Sequence, residues 1–137
     1  MKNIIICFAF IAFWLQGCKN YEVPLPLLIG SWGQVGEKEI LKSDWNTSVY
    51  DPTYSNRVEF KTNGELITNS DYLPLGEGSC NPANSYTLTN LSMNLKFSKP
   101  QCVSIIAANL PKEAKIISLT ENELIIERVK MYKFIRL

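Results

Sequence analysis

The chain has 137 residues, of which 14 are Lys or Arg, 13 are Asp or Glu and none is His. That length holds one domain, and a formal charge of +1 leaves no single-sign field for nucleic acid to read. Apolar residues at 46% exclude a disordered chain, and the missing His removes the commonest general base and metal ligand.

The first element reads as an address. Lys2 precedes an apolar run, Ile4 to Leu15, too short to span a bilayer but sufficient for a signal-peptide core. The run ends in Leu15-Gln16-Gly17-Cys18, which resembles the lipobox of bacterial lipoproteins. The resemblance implies that residues 1–17 are a signal peptide. It also implies that the chain is cut before Cys18 and that this residue carries acyl chains such as palmitate. One acyl chain gives only reversible membrane binding, whereas several hold a protein there. Lys19, not Asp, follows the cysteine, so outer-membrane residence is expected, with the facing leaflet left open.

The mature chain has 120 residues with equal numbers of basic and acidic side chains. Residues 18–28 read as a lipidated tether, held extended and denied helix by Pro24 and Pro26. Residues 29–137 read as the folded domain. Ile29 to Val35 opens a sheet, and Lys38 to Lys42 extends it or pairs back through Gly36. Arg57 to Lys61 and Glu65 to Thr68 flank Asn63-Gly64, a strong hairpin signal. A three-residue loop with Gly64 left-handed would pair Lys61 with Glu65, Phe60 with Leu66 and Val58 with Thr68. That register joins opposite charges and keeps the apolar face together.

Ser85 to Thr89 and Leu91 to Phe97 both alternate apolar and polar, with Asn90 at the turn between them. This predicts a second hairpin with Leu91, Met93, Leu95 and Phe97 facing in. Val103 to Ala107 is a further candidate strand. Lys115 to Thr120 and Glu123 to Glu127 form a third hairpin, expected to place Ile117, Leu119, Leu124 and Ile126 on one face. Met131 to Leu137 closes the chain, with an indistinct boundary near residues 128–130. About eight short strands and no amphipathic helix point to an antiparallel barrel or sandwich.

Cys7 leaves with the signal peptide and Cys18 is assigned to lipid. Cys80 and Cys102 remain as an even pair in an exported chain, so a disulfide is expected. It would close a loop of about 22 residues and contribute roughly 3 kcal/mol. No Cys-x-x-Cys spacing or other soft ligand accompanies them, so metal is not expected there.

Leu28-Ile-Gly30-Ser-Trp32, Phe60-Lys-Thr-Asn-Gly64, the Cys80 to Cys102 segment, Ile117 to Leu124 and Tyr132-Lys-Phe-Ile-Arg-Leu137 stand in that order. Behind the lipobox they resemble the lipocalin-like lipoprotein domains common in Bacteroidetes, over residues 28–137. The resemblance implies an all-β fold, a small antiparallel up-and-down barrel of about eight strands. It implies that Trp32 plugs one barrel end.

The stretch from Asp44 to Tyr54 is the most unusual. Trp45, Tyr50 and Tyr54 stand among Asp44, Asn46 and Asp51, with few signs of strand. At a barrel mouth such rings stack on a ligand while the polar groups fix its hydroxyls. The plainer alternative is a loop folded over the barrel end, its aromatics packed as a lid. Asp44-x-Asn46-x-Ser48 also mimics the start of a calcium loop, but Val49 and Ser55 stand where Gly and Glu are needed. No nucleophile elbow or phosphate loop occurs, and Glu121 and Glu123 read as a solvated turn. The expectation is a monomeric, non-enzymatic protein of the cell envelope, without cofactor. Either it binds a small apolar or glycan-like ligand, or it is an interaction protein whose barrel interior is filled.

Overall fold

A computed structural model describes residues 22–69, 75–76, 82–97 and 110–137. One helical turn, α1 (Leu25–Leu28), precedes nine strands. These are β1 (Gly30–Lys38), β2 (Asn46–Thr47), β3 (Arg57–Phe60), β4 (Leu66–Thr68), β5 (Ala83–Thr89), β6 (Ser92–Phe97), β7 (Glu113–Leu119), β8 (Glu123–Glu127) and β9 (Met131–Arg136). They lie in the order β4-β3-β1-β9-β8-β7-β6-β5, with β2 beside β1. The two ends of that order meet where Glu65 bridges Ser85 and the Tyr86 N–H donates to the Gly64 carbonyl at 2.9 Å. The result is a nearly closed antiparallel up-and-down barrel of eight strands, as the sequence led us to expect.

Local chemistry fixes the register. Gly64 sits at φ 81°, a backbone conformation that costs a residue without Cβ nothing. Around it, Phe60 pairs with Leu66, Val58 with Thr68, and the Lys61 ammonium lies 3.8 Å from the Glu65 carboxylate. This is the register argued from charge and apolar face. Leu88 pairs with Met93 and Tyr86 with Leu95 in the second hairpin, and Asn90 takes the turn at φ 55°.

The structure corrects two expectations and sharpens two others. Residues 25–28 do form helix, because prolines in a first turn lack only N–H groups that would have no helical partner anyway. Leu28, counted with the tether, is fully buried in the core. In the third hairpin a β-bulge lies between Ile116 and Ser118. The extra residue breaks the alternation, so Ile116 faces in and Ile117 is 41% exposed. β1 runs to Lys38, and the chain then pairs back only at β2, Gly36 with Thr47 and Glu37 with Asn46. The boundary near residue 128 is a tight turn, its Arg128 N–H donating to the Lys130 carbonyl at 2.9 Å. Cys18, Cys80, Cys102, the signal segment and Val103 to Ala107 lie outside the described residues.

The barrel interior is filled by side chains. Trp32, Phe60, Met93, Ile116, Leu124, Ile126, Tyr132 and Phe134 are each at most 1% exposed. Phe60 and Tyr86 meet edge to face with centroids 5.2 Å apart. Burying each large apolar side chain contributes about 1.5–3 kcal/mol, and this shared interior carries most of the stability.

The two ends of the barrel differ. At one, α1 and the short turns 61–65, 90–91 and 120–122 close the bottom. Trp32 donates its indole N–H to the Leu28 carbonyl at 2.8 Å and lies under the Arg136 guanidinium, 4.1 Å from ring centre to cation. Arg136 also donates to the carbonyls of Ile29 (2.8 Å), Glu121 (2.7 Å) and Leu27. At the other end β1, β4 and β6 run into the longer connections, beside the 128–130 turn. There Arg128, 7% exposed, donates to the carbonyls of Pro111 at 2.7 Å and Gly76 at 2.8 Å.

Candidate functional site

The six candidate residues between Asp44 and Tyr54 belong to the connection from β1 to β3, which leaves the long-loop end and returns. Two glycines of β1 decide its path. A Cβ at Gly33 would lie 2.3 Å from the Tyr50 ring, so the ring rests directly on the backbone. At Gly36 the same atom would meet the Asn46 carbonyl at 3.4 Å and the Trp45 ring at 3.5 Å. Trp32 faces inward, so its neighbour Gly33 faces out. Tyr50 therefore covers the outer flank of β1. The connection does not fold over the open end, as simple up-and-down order would suggest, because glycine leaves a shallow outer groove to receive it.

Each side chain then has a definite place. Trp45 is half-buried against Gly36, with the Lys38 ammonium 5.1 Å above its ring. Asp44 is exposed and accepts from the Ser43 hydroxyl at 3.0 Å. Asp51 organises a turn: its carboxylate accepts the Thr53 N–H at 2.7 Å and its carbonyl accepts the Ser55 N–H at 2.8 Å. Tyr54 projects from that turn, 87% exposed.

A cleft of about 330 Å³ opens between the connection and β1. It brings together three of the six candidates, Asn46, Asp51 and Tyr54, with Ser48, Val49 and Ser55 of the same segment. Asp44, Trp45 and Tyr50 do not line it; the Trp45 and Tyr50 rings pin the segment to the barrel. Gln34, Glu37 and Asn56, which sequence reasoning missed, supply the far wall. Asn56 donates its amide to the Gln34 carbonyl oxygen at 2.7 Å. The signal available was Gln34 itself, a polar residue two positions beyond the inward-facing Trp32 and opposite Phe134.

Electrostatics at the rim follow from Glu37. Lys130 bonds it at 2.9 Å and lies 3.6 Å from Glu39. The Glu37 hydrogen bond raises the Lys130 pKa against the opposing effect of desolvation. Tyr132, directly across the strand pair from Glu37, is pushed up to about 12, by burial first and by the Glu37 charge second. Its hydroxyl is buried without a hydrogen-bond partner.

The cleft lining holds amides, hydroxyls, two carboxylates and one exposed ring, and no Lys or Arg. Such a set donates to and accepts from hydroxyl groups while offering nothing to an anion. Among the described residues no three metal-ligating side chains gather, so the calcium-like spacing of Asp44, Asn46 and Ser48 builds no cage. No family model, curated protein or solved structure matches the chain.

Proposed function

We propose that the protein is a lipid-anchored lipoprotein of the cell envelope whose packed barrel displays the β1–β3 cleft to a hydroxyl-rich, glycan-like ligand. The observation that carries this reading is the cleft itself. At about 330 Å³ it matches a small-ligand site, polar-lined and edged by an exposed tyrosine. The filled interior favours such a polar ligand in this cleft over an apolar one inside the barrel. The anchor rests on the lipobox-like Leu15 to Cys18 segment. The barrel's first described residues enter at the closed end, so an anchor at Cys18 leaves the long-loop end pointing away from the membrane. Outer-membrane residence is part of the same proposal, since Lys19 follows the cysteine.

Titration with a panel of neutral oligosaccharides, followed by tryptophan fluorescence and chemical shifts, tests the ligand. Tyr54→Ala should weaken binding several-fold with an unchanged unfolding midpoint, because a stacking ring is worth about 1 kcal/mol beyond its area. Absence of any response in the wild-type protein overturns the ligand. Loss of palmitate labelling in Cys18→Ala tests the anchor separately.

A second reading, an envelope interaction protein, is favoured by one observation. The same connection exposes the apolar side chains of Leu41 at 98% and Val49 at 91%. Cross-linking from the 39–49 segment in cells would then trap a protein partner while oligosaccharides leave it unaffected.

A further inference from the structure

β2 and β3 are two halves of one interrupted strand. Both pair with the edge of β1 that faces away from β9, Thr47 with Gly36 and Arg57 with Gly33. Between those pairs the Ser48 N–H donates to the Val35 carbonyl and the Gln34 N–H donates to the Asn56 carbonyl, both at 2.8 Å. Successive residues of β1 therefore face 47, 48, 56 and 57 in turn. The ladder continues across the break, while residues 49–55 leave it and return to the point they left. An excursion whose ends already meet in register adds nothing to the barrel wall. Loops closed at the base in this way are a common seat of function.

The excursion makes the cleft. Val49, Asp51, Tyr54 and Ser55 are one wall, and Gln34 and Glu37 of β1 stand on the other. The two walls offer a ligand different charge. On β1, Glu37 has Lys130 as its counter-ion at 2.9 Å. On the excursion, the Asp51 carboxylate accepts the Thr53 N–H at 2.7 Å, and the Asp51 N–H donates to the Ser55 hydroxyl at 2.9 Å. Such N–H and O–H groups orient a carboxylate without cancelling its charge. Tyr54, from the same turn, adds an exposed ring whose face attracts a cation.

We propose that the insertion 49–55 is the specificity element of the cleft, and that its Asp51 selects a ligand bearing an ammonium beside its hydroxyls, an amino sugar. The inference rests on the glycan reading above and adds a sign of charge to it. An ammonium bonded to a carboxylate makes a shorter and stronger hydrogen bond than a hydroxyl does.

The test compares a glucosamine tetramer with the glucose tetramer of the same linkage, which exchanges each ammonium for a hydroxyl. At about pH 6 the amines are protonated. The wild-type protein should prefer the amine roughly tenfold, the difference between a charge-assisted and a neutral hydrogen bond. Salt at about 0.5 M should narrow that gap. Asp51→Asn keeps an acceptor for the Thr53 N–H and should erase the preference. A chain with one glycine in place of residues 49–55 should fold with the Leu124 and Phe134 amides still protected, and show no preference. Equal affinity for the two tetramers in the wild type, or an undiminished preference in Asp51→Asn, overturns the amino-sugar inference and leaves the glycan reading standing. Unfolding of the shortened chain shows that the segment belongs to the wall and overturns the insertion. Binding of neither tetramer overturns the glycan reading and this inference with it.

Discussion

The two ends of the barrel are each held by an arginine, and the two arginines act differently. Arg136 sits on the last strand, covers Trp32 and donates to carbonyls of Leu27, Ile29 and Glu121. It ties the first described residues to the last strand and so locks the step that closes the barrel. Arg128 sits in a turn, lies 5.8 Å from the Phe97 ring and donates to Gly76 and Pro111, carbonyls of two separate connections. It ties loops to each other above a core that is already complete. The same side chain thus serves closure at one end and loop gathering at the other, which leaves the long-loop end free to vary.

The largest expected effect tests the closed end. Arg136→Ala leaves carbonyls of α1 and its flank without donors and uncovers Trp32, and should cost about 3–5 kcal/mol. Lysine cannot reproduce a fork that reaches three acceptors, so Arg136→Lys should rescue little. A urea midpoint within error of wild type for either variant would show that closure does not depend on the clasp. Arg128→Met should cost about 2–3 kcal/mol, because it leaves the Pro111 and Gly76 carbonyls without their donor. Its signature is spatial: faster amide exchange at the long-loop end, with Trp32 and Leu124 amides unchanged. Global loosening would erase the distinction between the ends.

The cysteine pair sharpens the same contrast. Ala83 and Phe97 are cross-strand partners, and Cys80 and Cys102 lie three residues before one and five after the other. The disulfide expected between them from the sequence can be tested directly. Thiol titration of the mature chain should find neither free, and Cys80→Ser should cost about 2–4 kcal/mol. Two reactive thiols at these positions would leave Arg128 as the chief tie among those loops.

Much of the wall was legible and little of its furniture was. Asn63-Gly64 with Lys61 and Glu65 fixed one register, because turn chemistry and charge pairing are local. Alternation found Met93, Leu95, Leu124 and Ile126 for the same reason. The bulge at Ile117 defeated it, since inserting one residue leaves no mark in composition. Both arginine clasps were invisible because their acceptors are backbone carbonyls, which every residue carries. The cleft was half legible: Asn46, Asp51 and Tyr54 stood out by type, whereas Gln34 and Glu37 join them only through the fold-back onto β1.

Tyr132 gives a smaller, opposite effect. Its unpartnered hydroxyl is an uncompensated cost, so Tyr132→Phe should stabilise the protein by about 1 kcal/mol near neutral pH. The phenol's pKa is raised from 10.0 to about 12, so the neutral form is the one the fold favours. Its contribution is complete below pH 10 and lost as pH rises through 12. Wild type should thus lose stability over that window more steeply than Tyr132→Phe. Parallel alkaline profiles for the two proteins would mean that the phenol is solvated in solution.

The smallest effect separates flank from wall. Gly33→Ala places a methyl group 2.3 Å from the present position of the Tyr50 ring, so the ring must leave. Alanine in a strand recovers about 0.5–1 kcal/mol of backbone entropy, and the displaced ring loses a similar amount of burial. The net change in barrel stability should therefore be under about 1 kcal/mol. The cleft should suffer far more, because Tyr50 holds the segment that carries Asp51 and Tyr54 against β1. We expect a Tyr50 ring newly open to nitration and weaker oligosaccharide binding, with interior amides exchanging as before. Cooperative unfolding in Gly33→Ala would instead make the connection part of the barrel wall, and the long-loop end would no longer be free of the fold it decorates.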